Sequence, residues 1–265
     1  RSDHCSNEST SAAGRQRVTP VLELLELRKS FGSELVLQDV ALRVPEHTVT
    51  VLIGASGSGK STLMRCVNLL EPIDDGQVLL DGVDITSVGV NPDLVRRQIG
   101  TVFQHLNLFP HLTVLENITL APRKVHGISA EAAEATACDL LQRFGLMAKA
   151  MEYPDRLSGG QQQRVAIIRA VATSPRLLLL DEVTSALDPV LVGEVLDLVA
   201  ELRHDGMTMV VATHEMGFAK RVADQVGFLH NGALLELGAA ERVIETPETP
   251  ELQNFLNAVR GAGRL

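Results

Sequence analysis

At 265 residues, with 45% hydrophobic and 22% charged residues, the chain can bury a substantial core as one large domain or two modest ones. A net charge of −9, 3% aromatic content and no Trp argue against a general nucleic-acid binder, which needs positive charge and stacking surfaces. Cys5, Cys66 and Cys138 are far apart, odd in number and form no CxxC pair, so neither a disulfide framework nor a zinc site is expected, and a reducing cytoplasm fits best.

The opening stretch RSDHCSNESTSAAGRQR begins on Arg1 rather than Met and has no apolar h-region. Residues 1–19 therefore read as a polar tail outside the fold, not as a secretory signal. From Pro20, VLELLELRKSF, ELVLQDVALRV and TVTVLIG are short β-rich runs broken by Gly32 and Pro45. GASGSGKST then opens into LMRCVNLL, whose Leu63, Val67 and Leu70 fall at helical spacing. DDGQVLLDGVDI predicts a hairpin turning at Asp81-Gly82.

Over roughly residues 92–173 strand signals thin out, and LVRRQIG, VLENITLAPRKV and SAEAAEATACDLLQRFGL are helix-forming, which predicts a helical insertion. After Pro175 strands and helices alternate: RLLLLDE, LVGEVLDLVAELRHDG, MTMVVATH, MGFAKRVADQ, then VGFLHNGALLELG as a terminal hairpin around Asn231-Gly232. Such alternation indicates a parallel sheet covered on both faces. No stretch approaches the ~18–20 apolar residues that span a bilayer, so the chain is not expected to cross a membrane alone.

Gly54 to Ser61 matches G-x-x-x-x-G-K-[ST], with a strand before it and a helix after it, the context such a phosphate loop requires. The backbone of Gly54, Ala55, Ser56, Gly57, Ser58 and Gly59 would wrap a polyphosphate with its N–H groups inward. Lys60 would reach the terminal phosphates, Ser61 would ligate Mg2+, and Thr62 continues the loop into the helix. Leu177 to Leu180 end in Asp181-Glu182, a buried strand that delivers two carboxylates to the sheet edge where ligands of open α/β sheets bind. Asp181 would hold Mg2+ through water and Glu182 would polarise the attacking water. His214 closes MTMVVAT on the same expected edge, where it could contact the γ-phosphate or the attacking water. Gln104 sits where a core strand gives way to the helical insertion, and its amide can ligate Mg2+. A lone Asp-Glu, His or Gln would be an ordinary strand end or loop residue; the phosphate loop is what makes these candidates. LSGGQ, Leu157 to Gln161, places a Ser-Gly-Gly turn at a helix N-terminus, a second anion half-site that lacks a lysine.

Taken in order, GASGSGKST, Gln104, LSGGQ, LLLLDE, the SALD segment of Ser185 to Asp188, and His214 resemble the motifs of ABC transporter nucleotide-binding subunits, over nearly all of Pro20 to Leu256. Phe31, in RKSFG, matches the aromatic position that stacks on adenine in that family, and a π-face is all that stacking requires. The resemblance implies a RecA-like P-loop α/β core with an N-terminal antiparallel β subdomain and a helical subdomain, together forming one ATPase domain over 20–265. It implies two cassettes binding two ATPs head to tail. Each ATP and its Mg2+ would lie between the phosphate loop of one chain and Ser158, Gly159, Gly160 and Gln161 of the other. Ser61, Gln104 and Asp181 would be the metal-binding set and Glu182 the general base.

Within the family, QHLNLFPHLTVLENI, LSGGQQQRVAI, TSALDP and ATHEMGFAKRVAD look most like subunits that power bacterial uptake of polar amino acids. The implied partners are transmembrane permease subunits and, indirectly, an extracytoplasmic solute-binding protein, with no nucleic acid. The implied location is the cytoplasmic face of the inner membrane. An exporter or cell-envelope motor, a soluble ABC ATPase working on nucleic acid or ribosomes, and a regulatory module without turnover are the alternatives left open. Two positions depart from the family pattern: Val183 stands where proline is usual, and Ile168 replaces a usual alanine.

Overall fold

A computed structural model describes residues 20–185, 187 and 189–261, the side chains of 189 and 190 excepted; the tail 1–19, Ala186 and Asp188 of the SALD segment, and residues 262–265 lie outside the described residues. In chain order the elements are β1 (Leu22–Phe31), β2 (Glu34–Val44), β3 (Val49–Ile53), α1 (Lys60–Val67), β4 (Asp75–Leu80), β5 (Val83–Asp84), α2 (Pro92–Arg96) and β6 (Ile99–Val102). Then follow α3 (Val114–Lys124), α4 (Ala130–Arg143), α5 (Gly159–Val171), β7 (Leu177–Asp181), α6 (Pro189–His204) and β8 (Met209–Ala212). The chain continues through α7 (Met216–Val222), β9 (Gln225–His230), β10 (Ala233–Ala239), α8 (Ala240–Glu245) and α9 (Pro250–Gly261).

The strands form two sheets. One is antiparallel, in the order β2-β1-β4-β5; the other runs β10-β9-β3-β8-β7-β6, parallel throughout except for the β9-β10 pair. Every residue of β3, β7 and β8 is buried, because successive side chains enter different cores. Ile53, Leu178, Leu180, Val211 and Phe228 join one cluster with α3 to α9, whereas Leu52, Leu177, Leu179 and Val210 join another with α1 and the antiparallel sheet. Fully burying each such side chain is worth about 1.5–3 kcal/mol, and a strand covered on both faces collects that from every residue. This is why LLLL reads as a continuous run instead of an alternation.

Three details differ from the sequence reading. Leu70 does not extend α1: the chain leaves the helix at Asn68, Leu69 takes a positive φ of 58°, and Leu70 is 48% exposed. The helix-forming reading of LVRRQIG holds only to Arg96, since Ile99–Val102 pairs with Leu177–Leu180 as the edge of the parallel sheet. Four residues carry too little periodicity to announce a strand that its neighbour specifies. Finally, the β9-β10 hairpin is not terminal. Helices α8 and α9 follow it, and α9 buries Leu252 and Leu256 four residues apart while Phe255 packs on Phe228.

The helices between β6 and β7 are locally well specified. Thr113 and Glu116 form a reciprocal capping box at the start of α3, Ser129 caps α4, and Ser158 with Gln161 forms a second capping box on α5. Their apolar faces, including Ile118, Leu141 and Ile168, meet the first core, and the unusual Ile168 is fully buried there.

Candidate functional site

Four adjacent parallel strands, β3, β8, β7 and β6, deliver the candidate residues to one edge. The register pairs Leu52 with Ala212, Asp181 with Ala212, and Val102 with Leu180. The phosphate loop after β3, His214 after β8, Asp181-Glu182 at the end of β7 and Gln104 after β6 therefore leave the sheet side by side, the usual place for a ligand in an open α/β sheet.

The loop is shaped by its glycines where backbone passes close. A Cβ at Gly54, whose φ is 152°, would stand 2.1 Å from the carbonyl oxygen of Leu229, so no larger residue fits without moving β9. Lys60, only 4% exposed, donates from Nζ to the carbonyl oxygens of Gly54 (2.9 Å) and Ala55 (3.1 Å) and lies 3.6 Å from Glu182 Oε1. Burial pushes its ammonium pKa down, and the Glu182 charge works against that shift. The buried Ser58 Oγ has no hydrogen-bond partner among the described residues, a polar atom inside the loop that a phosphate oxygen would satisfy.

Ser61 Oγ donates to Asp181 Oδ1 at 3.0 Å. Burial raises the Asp181 pKa, and the Ser61 hydrogen bond opposes the rise. Glu182 leaves the strand with a φ of 48°. Its N–H donates to the Ala212 carbonyl (3.0 Å), and its own carbonyl accepts from the N–H (3.1 Å) and hydroxyl (2.9 Å) of Ser185. With the backbone held on both sides in the left-handed region, the side chain turns toward the phosphate loop, where Oε1 lies 2.9 Å from His214 Nε2. Thr213, which sequence reasoning did not single out, braces that histidine: its N–H donates to the Leu52 carbonyl (3.3 Å) and its hydroxyl accepts from the Glu215 N–H (3.0 Å). A threonine before a histidine carries no periodic or motif signal.

Lys60, Ser61, Asp181, Glu182 and His214 are thus brought together. Gln104 is exposed beyond β6, and among the described residues it makes no hydrogen bond to Ser61 or Asp181. Phe31, 47% exposed, ends β1 in the other sheet, with the Lys29 ammonium 4.8 Å from its ring centre. Ser158 and Gln161 are occupied with each other: the Gln161 N–H donates to Ser158 Oγ (3.3 Å) and the Ser158 N–H to Gln161 Oε1 (3.1 Å). Gly160 packs so tightly on α6 that a Cβ would lie 3.2 Å from Leu191 Cβ. Ser158 and Gly159 face solvent, and among the described residues no hydrogen bond joins them to the phosphate loop.

The family pattern described as ABC transporter matches residues 37–185. The chain is 48% identical to the glutamine transport ATP-binding protein of Geobacillus stearothermophilus, over 88% of this chain and 97% of that one. It is also 48% identical to the arginine transport ATP-binding protein of Bacillus subtilis, over 90% of this chain and all (100%) of that one. Among solved structures, a dimeric ATP-binding cassette in a post-hydrolysis state bound to ADP and Pi superposes with a TM-score of 0.73 at 33% identity, covering 83% of this chain and 98% of that one. A mixed α/β chain with a phosphate loop, a carboxylate pair and a strand-end histidine on one sheet edge therefore belongs to the ABC transporter family as an ATP-binding subunit, and its chemistry is ATP hydrolysis coupled to transport.

Proposed function

We propose that two copies of this chain form the ATP-driven motor of a bacterial importer of polar amino acids, bound to permease subunits at the cytoplasmic face of the membrane. The observation that carries the hydrolytic half is the convergence of Lys60 and His214 on one oxygen of Glu182. The relatives' names, for glutamine and arginine transport, support the solute class. A single ATPase domain over 20–265 with a helical part within roughly 92–173, less the β6 strand, is the division this reading uses.

Hydrolysis would run by in-line attack of water on the γ-phosphate. Glu182 accepts hydrogen bonding, and then a proton, from the water as its oxygen bonds to phosphorus; the bond from phosphorus to the bridging oxygen breaks and ADP leaves. His214 holds the Glu182 carboxylate at the attack position. Lys60 exchanges the Gly54 and Ala55 carbonyls for phosphate oxygens, whose negative charge its ammonium stabilises more strongly where water is excluded. Ser61 and Asp181, a hydroxyl and a carboxylate 3.0 Å apart, are hard oxygen donors that suit Mg2+, with Gln104 as the third candidate from the neighbouring strand. Bound there, Mg2+ would neutralise charge on the β- and γ-phosphates. Phe31 would stack on adenine.

The exposed Ser158-Gly159 turn has helix N-terminal charge and no lysine, which supports its use by the ATP of an opposing copy whose Lys60 supplies the missing charge. A groove of about 830 Å³ beside Gln104, lined by Phe103, Leu106, Phe109, Leu120 and Arg169 among others, supports docking of a permease segment. Arg169 stiffens its wall by donating to the carbonyls of Asn107 (2.7 Å) and Leu106 (3.1 Å). Among the described residues no helix is long and apolar enough to cross a membrane. Uptake of labelled amino acids, measured across a panel in cells with and without the gene, tests the proposal. Loss of glutamine, glutamate or arginine uptake is expected, and an unchanged panel would reject import of this class.

A further inference from the structure

The β9-β10 turn reaches into the site from outside every motif described above. Gly232 makes two hydrogen bonds in opposite directions: its N–H donates to the Ser58 carbonyl at 3.1 Å, and its carbonyl accepts from the Gln38 N–H at 2.8 Å. Ser58 lies in the phosphate loop. Gln38 lies on β2, the strand whose first residue, Glu34, pairs with Phe31 at the end of β1. One residue thus ties the loop that would hold phosphate to the sheet that presents the aromatic ring.

The chemistry of the turn suits a fixed spacer. Asn231 and Gly232 have φ of 47° and 80°, the two positive values of a type I′ hairpin turn, which matches the twist of the flanking strands. A Cβ at Gly232 would stand 2.4 Å from the Val36 carbonyl oxygen, so β2 approaches as closely as a bare backbone permits. Because β2 is an edge strand, one row of its N–H groups lies outside the sheet ladder, and the turn engages one of them.

We infer that the Asn231-Gly232 turn is a positioning element that sets the distance between the phosphate loop and the Phe31 ring, so that one nucleotide can engage both at once. The inference rests on Phe31 serving as the adenine platform. Gly232 touches neither base nor phosphate; it acts through Ser58 and Gln38.

The test measures dissociation constants of Mg·ATP and of tripolyphosphate, which lacks a base, for the full-length wild type, Phe31→Ala, Gly232→Ala and the double variant. Phe31→Ala is expected to weaken ATP about tenfold while leaving tripolyphosphate within about twofold. Gly232→Ala should show the same selective loss. The double variant should then lose no more than either single change, because a displaced ring has nothing left to contribute. Equal weakening of both ligands by Gly232→Ala, or losses that multiply, would overturn the spacer while Phe31 stands. No effect of Phe31→Ala on ATP would remove the platform and the spacer together. If Gly232→Ala does not fold, Gln38→Pro deletes the donor on an edge strand, where proline is tolerated; it should reproduce the selective loss, and a wild-type ratio would overturn the inference. Asn231→Gly, which keeps the positive φ, should retain the wild-type ratio.

Discussion

His214 Nε2 lies 2.9 Å from Glu182 Oε1, the same oxygen that faces Lys60 Nζ at 3.6 Å. One carboxylate oxygen thus reports to two strand ends: β8 supplies the histidine and the loop after β3 supplies the lysine. In the proposed mechanism, phosphate that draws Lys60 away would leave Glu182 oriented by His214 alone and free to take up water, so that substrate binding and exposure of the proposed base would be one movement of one ammonium group.

Glu182→Gln keeps the size and the hydrogen-bonding capacity toward His214 but removes the proton acceptor. Phosphate release at saturating Mg·ATP should fall at least about 100-fold while ATP affinity is retained. Gel filtration with ATP should show a trapped dimer. Wild-type-like turnover would exclude Glu182 as the base.

His214→Ala leaves the carboxylate without its orienting partner. A loss of about 100-fold in kcat with little change in KM is expected, since the histidine reaches Glu182 and not the loop that grips phosphate. A rise in KM alone, read from steady-state phosphate release, would place His214 in nucleotide binding instead.

Asp181, the proposed Mg2+ ligand, costs the fold stability. Burial raises its pKa, against the Ser61 hydrogen bond. Between the ordinary carboxylate range and the raised value, the native chain holds a proton that the unfolded chain has lost. Stability therefore falls as pH rises through that window and stays lower above it. Asp181→Asn removes the penalty. Without nucleotide it should melt above wild type at pH 8, with the gap shrinking as pH falls toward about 4, while Mg-dependent ATP hydrolysis is lost. Thermal melts across pH, with and without Mg·ATP, check both halves.

Ser158→Arg separates two roles of one residue. Loss of the capping box should cost about 1 kcal/mol, a drop of about 2–4 °C in melting temperature. ATP affinity of the isolated chain should stay near wild type, while ATP-dependent dimerisation and hydrolysis disappear. If monomer affinity falls as far as it does in Lys60→Ala, the Ser158-Gly159 turn does not serve an opposing copy.

Ile168→Ala tests the packing of α5. The side chain is fully buried in the core shared by α3, α4 and α5. Its truncation should cost about 2–4 kcal/mol, because neighbours packed around an isoleucine collapse only partly. Urea unfolding measures this, and a neutral result would mean the core closes around an alanine at that position.

Much of this molecule was legible locally. The phosphate loop, the LLLLDE strand and the LSGGQ helix each announce themselves within a dozen residues, because their chemistry depends on backbone shape, burial and capping that neighbours in sequence supply. The capping box of Ser158 and Gln161, which sequence reasoning did not single out, has the same local cause: serine and glutamine three residues apart satisfy two end groups of the same helix. The β6 strand was less clear, since Ile99–Val102 becomes a strand only because β7 offers it a ladder.

By itself, the sequence determined which groups the protein owns: a lysine and serine after a glycine loop, two carboxylates after a buried run, a histidine at a strand end. Only the tertiary structure decided which of them meet. Lys60, Glu182 and His214 are separated by more than a hundred residues of chain from first to last, and the parallel pairing of β3, β8 and β7 makes them neighbours. The same is true of Gly232, which nothing in its own segment marks as anything but a turn. It lies between the phosphate loop and β2 because a hairpin from the far end of the chain packs there, and a hydrogen bond between distant segments leaves no local trace in sequence.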